Sequence, residues 1–411
     1  MTQLARRLTL LDAVVIGLGS MIGAGVFAVW APAAAVAGGG LFVGLALAAV
    51  VAYCNATSSA QLAAAYPASG GTYIYGREVL GDWWGFLAGW GFVIGKAASA
   101  AAMALTFAAY LVPSGWWQRP VAALAVIALV AVNYHGVTRT AFLTRVIVSV
   151  VLVVLAWAVF ASWTAWTPGV WDGLVLFEAG PYGALQSAGL LFFAFAGYAR
   201  IATMGEEVVS PRRTIPRAIL IALGLAVIVY VFVGLGVVGA LGTQALASST
   251  APLVDAVGGG PVQEWVVRVG GAVASLGALL ALVAGIGRTS LAMARNGDLP
   301  RGLAEVHERY QVPHVAEITL GVVVSLLVLA VDLRGVIGFS SFGVLLYYFV
   351  ANLAALRQRD GRMFPRWLQV LGLVLCGLLV VTLPWPSVVL GVLVYVVGVV
   401  GRLVALRRRS A

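Results

Sequence analysis

The sequence predicts an all-α integral membrane protein, a single domain of residues 1–411 with about twelve transmembrane helices. Hydrophobic residues make up 62% of the chain, charged residues only 10%, and the mean hydropathy is +1.01. A water-soluble protein of this composition could not cover its surface with polar groups. The charged residues are clustered, which leaves apolar stretches of roughly 18 to 25 residues, the length that a helix needs to cross a bilayer. The alternation typical of a β-barrel is absent, so helices are the spanning elements.

We number the predicted membrane helices as spans one to twelve in chain order. They cover residues 10–35, 41–65, 83–112, 119–136, 140–163, 184–208, 214–241, 263–294, 314–331, 335–356, 364–382 and 385–405. With a cytoplasmic N-terminus, twenty of the 25 Lys and Arg residues fall on the inner side, three on the outer side and two, Lys96 and Arg200, within spans. This asymmetry predicts a multi-pass protein of the cell (inner) membrane with both termini cytoplasmic. It also explains the net charge of +10 without a nucleic-acid partner.

Span one is predicted to break near its middle. Its motif GSMIGAGVF, Gly19–Phe27, places three glycines within seven residues, where a regular membrane helix would favour leucine. A break exposes the backbone amides of the half-helix that follows, and these can hold a carboxylate. The alternative is a face of small residues for close helix packing.

Span six carries a second interruption. In FFAFAGYARIATMGEEV, Phe192–Val208, Gly197 interrupts an aromatic run at a depth similar to the break in span one, five spans earlier. Paired interrupted helices in two five-helix halves are typical of inverted-repeat transporters that bind substrate at the midplane. We therefore predict a first repeat at residues 10–163, a second at 184–356, and two additional helices at 364–405.

Further motifs make a family resemblance specific. After GSMIGAGVF come AYPASGGTYIY at 65–75, the span-six motif, PRRTIPRAI at 211–219 and RTSLAMARNGDLP at 288–300. In this order and spacing they resemble the amino acid, polyamine and organocation (APC) superfamily. The resemblance implies the leucine-transporter fold, with a 5+5 inverted repeat and broken helices one and six. It also implies an alternating-access carrier with its substrate between spans one, three, six and eight.

In span one, the resemblance implies a substrate site at Met21, Ile22, Gly23, Ala24 and Gly25. The substrate carboxylate would lie on the amides near the last three residues, and the Met21 carbonyl would face the substrate ammonium.

In span six, the resemblance adds Phe193, Phe195, Ala196, Gly197 and Tyr198. Carbonyls near Phe193 and Ala196 would share the ammonium, one of the two phenylalanines would close over the substrate, and Tyr198 follows the break. Ordinary aromatic packing is the alternative for these rings.

Lys96 is the only lysine in the chain and lies about 20 Å by helical rise from either end of span three, too far to reach water along its side chain. A cation at this depth marks a functional site by default. With Val93 one turn away, it resembles a substrate-lining stretch. We consider three roles for Lys96: proton coupling, pairing with a substrate anion, and a structural bond to backbone carbonyls of a broken helix.

The remaining charged candidates belong to an inner gate. Arg200 lies towards the inner end of span six, with Glu206, Glu207 and Arg288 as its expected neighbours. A structural anchor for the half-helix is the alternative for Arg200. Because no acid is expected deep in the core, polyamines and strongly cationic amino acids are predicted to be poor substrates.

Span five departs from the pattern. Proton-coupled relatives often carry a lysine there, but this chain has none at residues 144–154, and Ser149 lies near the expected level. The mode of ion coupling therefore has three alternatives: coupling through Lys96, a bound cation in the vacant place, and substrate exchange without an ion.

We predict a secondary active transporter that works by alternating access and takes up neutral or acidic amino acids together with protons. We expect no cofactor, metal site or catalytic residue. The alternatives are an uncoupled amino acid exchanger and, in a different class, a non-transporting amino acid sensor. The expected partners are an amino acid and the lipid bilayer, with oligomeric state left open.

Overall fold

The computed structural model describes residues 8–66, 70–112, 115–135, 140–205, 207–258 and 260–410. Over these ranges, helices correspond to all twelve predicted spans, which confirms the all-α membrane architecture. In chain order the spans are Leu10–Ile22 with Ala24–Ala28 and Trp30–Ala37, Leu41–Ala65, Asp82–Leu111, Gln118–Tyr134, Thr140–Thr164, Gly180–Phe195 with Ala199–Ala202, Pro211–Ser248, Pro261–Arg295, His314–Ala330, Leu333–Arg357, Arg366–Thr382 and Trp385–Ser410.

Short helices connect some of the spans. Thr72–Leu80 precedes span three, Pro252–Val257 precedes span eight, and Gly38–Gly40, Ala196–Tyr198 and Arg301–Ala304 form 3-10 turns. The sequence pattern predicts none of the short helices that lie outside the spans. The division into two five-helix repeats stays a prediction.

Spans three, six and ten form the centre of the bundle. About four fifths of the apolar stretch of each is buried, against 11% for span twelve. Glycines allow spans three and ten to approach closely, because a Cβ on Gly343 would lie 2.7 Å from the Gly91 carbonyl oxygen and 3.0 Å from the Gly95 nitrogen. This packing fixes the middle of span three, where Lys96 lies.

Span six ends earlier than the sequence predicts. Its last helical residue is Ala202 rather than Val208. The Tyr75 hydroxyl donates to the Ala202 carbonyl at 3.1 Å, and the segment beyond pairs with the N-terminal strand-like residue Leu8 instead of continuing the helix. Backbone groups that would bond along a helix are thus satisfied across two segments.

A buried carboxylate joins four elements at the end of the bundle that carries most of the arginines, which we call the arginine-rich face. Asp298, in the turn after span eight, accepts hydrogen bonds from Tyr73 at 2.8 Å, Arg77 at 2.9 Å and Arg402 at 3.0 Å. The Arg402 guanidinium also lies 4.4 Å from the centre of the Trp83 ring. Asp298 therefore connects the helix before span three, the turn after span eight and span twelve, and Arg402 extends the cluster to span three.

Candidate functional site

The predicted break in span one is present. The first helix ends at Ile22, Gly23 adopts φ −54° and ψ −124°, and a new helix begins at Ala24. Gly23 is also closely packed, because a Cβ there would lie 2.6 Å from the Ala278 methyl of span eight. The break leaves the amides at the start of the second helix without partners inside the first helix.

The predicted break in span six lies directly opposite. The α-helix ends at Phe195, a 3-10 turn covers Ala196–Tyr198, and the helix resumes at Ala199. A Cβ on Gly197 would lie 2.6 Å from the Met21 nitrogen and collide with the Ser20 carbonyl. Only glycine allows the two interrupted helices to touch backbone to backbone at this point.

A second glycine contact lies one turn away. A Cβ on Gly25 would lie 2.8 Å from the Ala194 Cα of span six. The small-residue packing that was the alternative interpretation of GSMIGAGVF is thus also present, and the same glycines serve both the break and the contact.

Lys96 reaches the break in span six. Its side chain is buried, with 7% of its area exposed, and Nζ donates to the Ala196 carbonyl oxygen at 3.1 Å. Among the described residues, Lys96 takes part in no ion pair. A buried ammonium with one carbonyl partner has two further N–H groups to satisfy, so the position is suited to an additional acceptor.

Val93, one turn before Lys96, is half-buried and packs both against the main apolar core, which includes Met21, Phe193 and Ala196, and against the cluster of Tyr73, Phe86 and Met293. Its contact with substrate stays a prediction.

Two tyrosines that sequence reasoning missed complete the region around the breaks. The Tyr230 hydroxyl, from span seven, lies 2.7 Å from the Met21 carbonyl oxygen and 2.8 Å from that of Ala194. The Tyr348 hydroxyl, from span ten, lies 3.5 Å from the Ala196 carbonyl oxygen that Lys96 also uses. Their position within apolar spans was a usable signal, since a buried tyrosine hydroxyl usually finds a partner.

The predicted aromatic residues of span six are all buried but differ in their contacts. The Phe195 ring packs edge-on against Tyr230 at 4.8 Å, and Tyr198 lies 5.1 Å from Tyr348. These contacts are ordinary ring packing, so Phe193, which is 6% exposed and has no such ring partner among the described residues, is the better candidate for a movable gate.

Comparison with known proteins identifies the family. The profile described as "Amino acid permease" matches residues 8–401. The chain belongs to the amino acid permease family. It is 56% identical to an uncharacterized transporter of Mycobacterium tuberculosis over 99% of this chain and 94% of that protein. It is 25% identical to the branched-chain amino acid permease BcaP of Bacillus subtilis, over 97% and 92%. It is 29% identical to human cationic amino acid transporter 4, over 85% and 59%. These relatives are named transporters and permeases rather than enzymes.

Tyr110 of span three joins several elements on the side of the breaks away from the arginine-rich face. Its hydroxyl donates to the Phe27 carbonyl at 3.1 Å and accepts from the Leu253 amide at 3.4 Å, and its ring packs edge-on against Phe27. One side chain thus joins span one, span three and the short helix before span eight.

At the arginine-rich face, two of the residues that we predict for an inner gate lie close together. Arg288 lies 3.6 Å from Glu207, beside the backbone pairing of Leu8 with the segment after span six. Arg200 is half-buried and interacts electrostatically with both, although it forms no ion pair within the described ranges. Glu206 lies outside the described residues.

Ser149 of span five lies at the level where proton-coupled relatives often carry a lysine. Its side chain is exposed rather than directed into the core.

Proposed function

We propose that this permease is a secondary active carrier of neutral or acidic amino acids that works by alternating access and is coupled to protons through Lys96. The observation that carries the proposal is the bond from Lys96 Nζ to the Ala196 carbonyl at the break in span six. It places the only lysine of the chain where the family resemblance puts the substrate ammonium. The carrier would lie in the cell membrane with both termini cytoplasmic.

Charge supports neutral and acidic substrates over cationic ones. No carboxylate among the described residues forms an ion pair with Lys96, so a second cationic side chain would meet repulsion there. An acidic amino acid can instead present its side-chain carboxylate to charged Lys96. Proton and acidic amino acid would then travel together, which is the condition for uptake driven by the proton gradient.

The experiment is uptake and counterflow of radiolabelled amino acids in proteoliposomes, with and without an imposed proton gradient. We expect exchange of at least one neutral or acidic amino acid. A proton gradient is expected to change its accumulation in the wild type and to have no effect in Lys96→Ala. Ser99→Ala, one turn along span three, removes a hydroxyl that pairs with Ser340 at 2.7 Å and serves as the matched control.

Three results would each contradict one part of the proposal. Binding without exchange would indicate the amino acid sensor, and exchange that ignores the gradient in the wild type would indicate the uncoupled exchanger. A gradient effect that survives in Lys96→Ala would place the coupling group elsewhere.

A further inference from the structure

Lys96 already occupies a carbonyl oxygen that the family resemblance assigns to the amino group of a substrate. Nζ of Lys96 donates to the Ala196 carbonyl at 3.1 Å, and the Tyr348 hydroxyl stands 3.5 Å from it. The neighbouring Met21 carbonyl is within 2.7 Å of the Tyr230 hydroxyl. Two of the three carbonyls that the resemblance assigns to the ammonium, those of Met21 and Ala196, are therefore already approached by donors of the protein.

Electrostatic repulsion strongly disfavours two ammonium groups on this one oxygen. Two nitrogens that each lie about 3 Å from one oxygen are no more than about 6 Å apart. At that separation, two positive charges inside a protein weaken each other's binding by about 100-fold.

The groups around Lys96 do not supply a compensating negative charge. The titratable residues in the middle of the surrounding spans are mostly tyrosines, namely Tyr198 of span six, Tyr230 of span seven, Tyr347 and Tyr348 of span ten, and Tyr395 of span twelve. The others are the buried thiols Cys54 of span two and Cys376 of span eleven, and Arg200 of span six, which is a second cation. Span one has no titratable residue near its break. Spans eight and nine carry theirs near their ends, at Glu264, Arg268, Arg288, Arg295, His314 and Glu317.

We propose that a neutral amino acid and a proton exclude each other at this site, so that the permease exchanges neutral amino acids for protons. This inference rests on the proposed function. When the amino acid binds, its ammonium takes the Ala196 carbonyl, and Lys96 gives one proton from Nζ to water on the open side. When the amino acid leaves on the other side, the neutral Lys96 amine takes one proton from water there. One amino acid thus crosses in one direction for each proton that crosses in the other.

The proposal reverses the uptake expected from the sequence for neutral substrates. Symport requires proton and amino acid to be bound together, and one shared carbonyl does not allow this. A proton gradient directed into the cell would therefore drive neutral amino acids out. The same gradient would drive acidic amino acids in, because they pair with charged Lys96 and travel with its proton.

The test uses proteoliposomes with the membrane potential clamped at zero and the neutral amino acid that gives the fastest counterflow. With an acidic interior, labelled amino acid is expected to accumulate above its external concentration. With an acidic exterior, the internal concentration of labelled amino acid is expected to stay below the external concentration. Apparent affinity should rise with pH, by up to about tenfold per unit, because binding requires release of one proton. Accumulation driven by an acidic exterior would overturn the inference and leave the proposed function intact, whereas absence of exchange for every amino acid tested would overturn both.

Two substitutions of Lys96 assign the effect to this side chain. Lys96→Arg keeps a charge that does not titrate, and neutral amino acid exchange is expected to fall by about 100-fold. Lys96→Met removes the charge, and any exchange that it supports should be independent of the gradient and of pH. Ser99→Ala should retain the wild-type response to gradient polarity. A gradient response in Lys96→Arg or Lys96→Met equal to that of the wild type would contradict the inference.

Discussion

Gly197→Ala is expected to abolish transport and to lower the free energy of unfolding by about 3 kcal/mol, the upper end of the usual cost of overpacking. The added methyl would meet the backbone of Ser20 and the Met21 nitrogen at 2.6 Å. Backbone atoms cannot turn aside as a flexible side chain can. Spans one and six would have to separate at the point where their two breaks form the site.

The matched control for this prediction is Gly224→Ala in span seven. A Cβ there meets no atom within 4 Å, and the residue is exposed on a regular helix. We expect an unchanged or slightly higher stability, since alanine favours a helix over glycine by about 1 kcal/mol. Thermal unfolding in detergent and counterflow in proteoliposomes measure both variants. Equal behaviour of the two would show that spans one and six do not touch at Gly197.

Asp298→Asn is expected to lower the free energy of unfolding by about 3 kcal/mol or more. The carboxylate and the Arg402 side chain with which it pairs at 3.0 Å are 4% and 5% exposed. Removal of the negative charge would leave the guanidinium buried without its counter-charge. Chemical denaturation of the purified protein, followed by tryptophan fluorescence, measures the change.

A second acid in the same cluster provides the control, because Arg77 pairs with both Asp298 and Asp82. Asp82 pairs with Arg77 at 2.7 Å, but its side chain is 68% exposed. Asp82→Asn should therefore cost only about 0–1 kcal/mol, as is usual for surface ion pairs. A loss as large as that of Asp298→Asn would show that burial does not determine the strength of these pairs.

The sequence predicted the architecture well because its strongest signals are local. Apolar length specifies the spans, and glycines in the middle of a span specify the breaks at Gly23 and Gly197. The family motifs then placed both breaks in one site. The end of span six was predicted less well, because the residues that bind it lie far away in the sequence. Tyr75 donates to the Ala202 carbonyl, and Leu8 pairs with the segment beyond.

The contacts of the site were harder to predict than its location. The Ala196 carbonyl and Lys96 were each expected in the site, yet their direct bond depends on how spans three and six cross. Backbone carbonyls leave no residue-specific mark in a sequence. Tyr230 and Tyr348 were missed because their spans are apolar on every face. Such a sequence does not reveal whether a tyrosine points towards the breaks or towards another neighbour.

The most direct measurement of the central claim is an experimental structure of the permease with its best-exchanged neutral amino acid bound. We expect the carboxylate on the amides near Gly23, Ala24 and Gly25, and the ammonium on the Ala196 carbonyl, with Lys96 Nζ displaced from that oxygen. An amino acid bound away from both breaks, or bound while Lys96 still donates to Ala196, would contradict it.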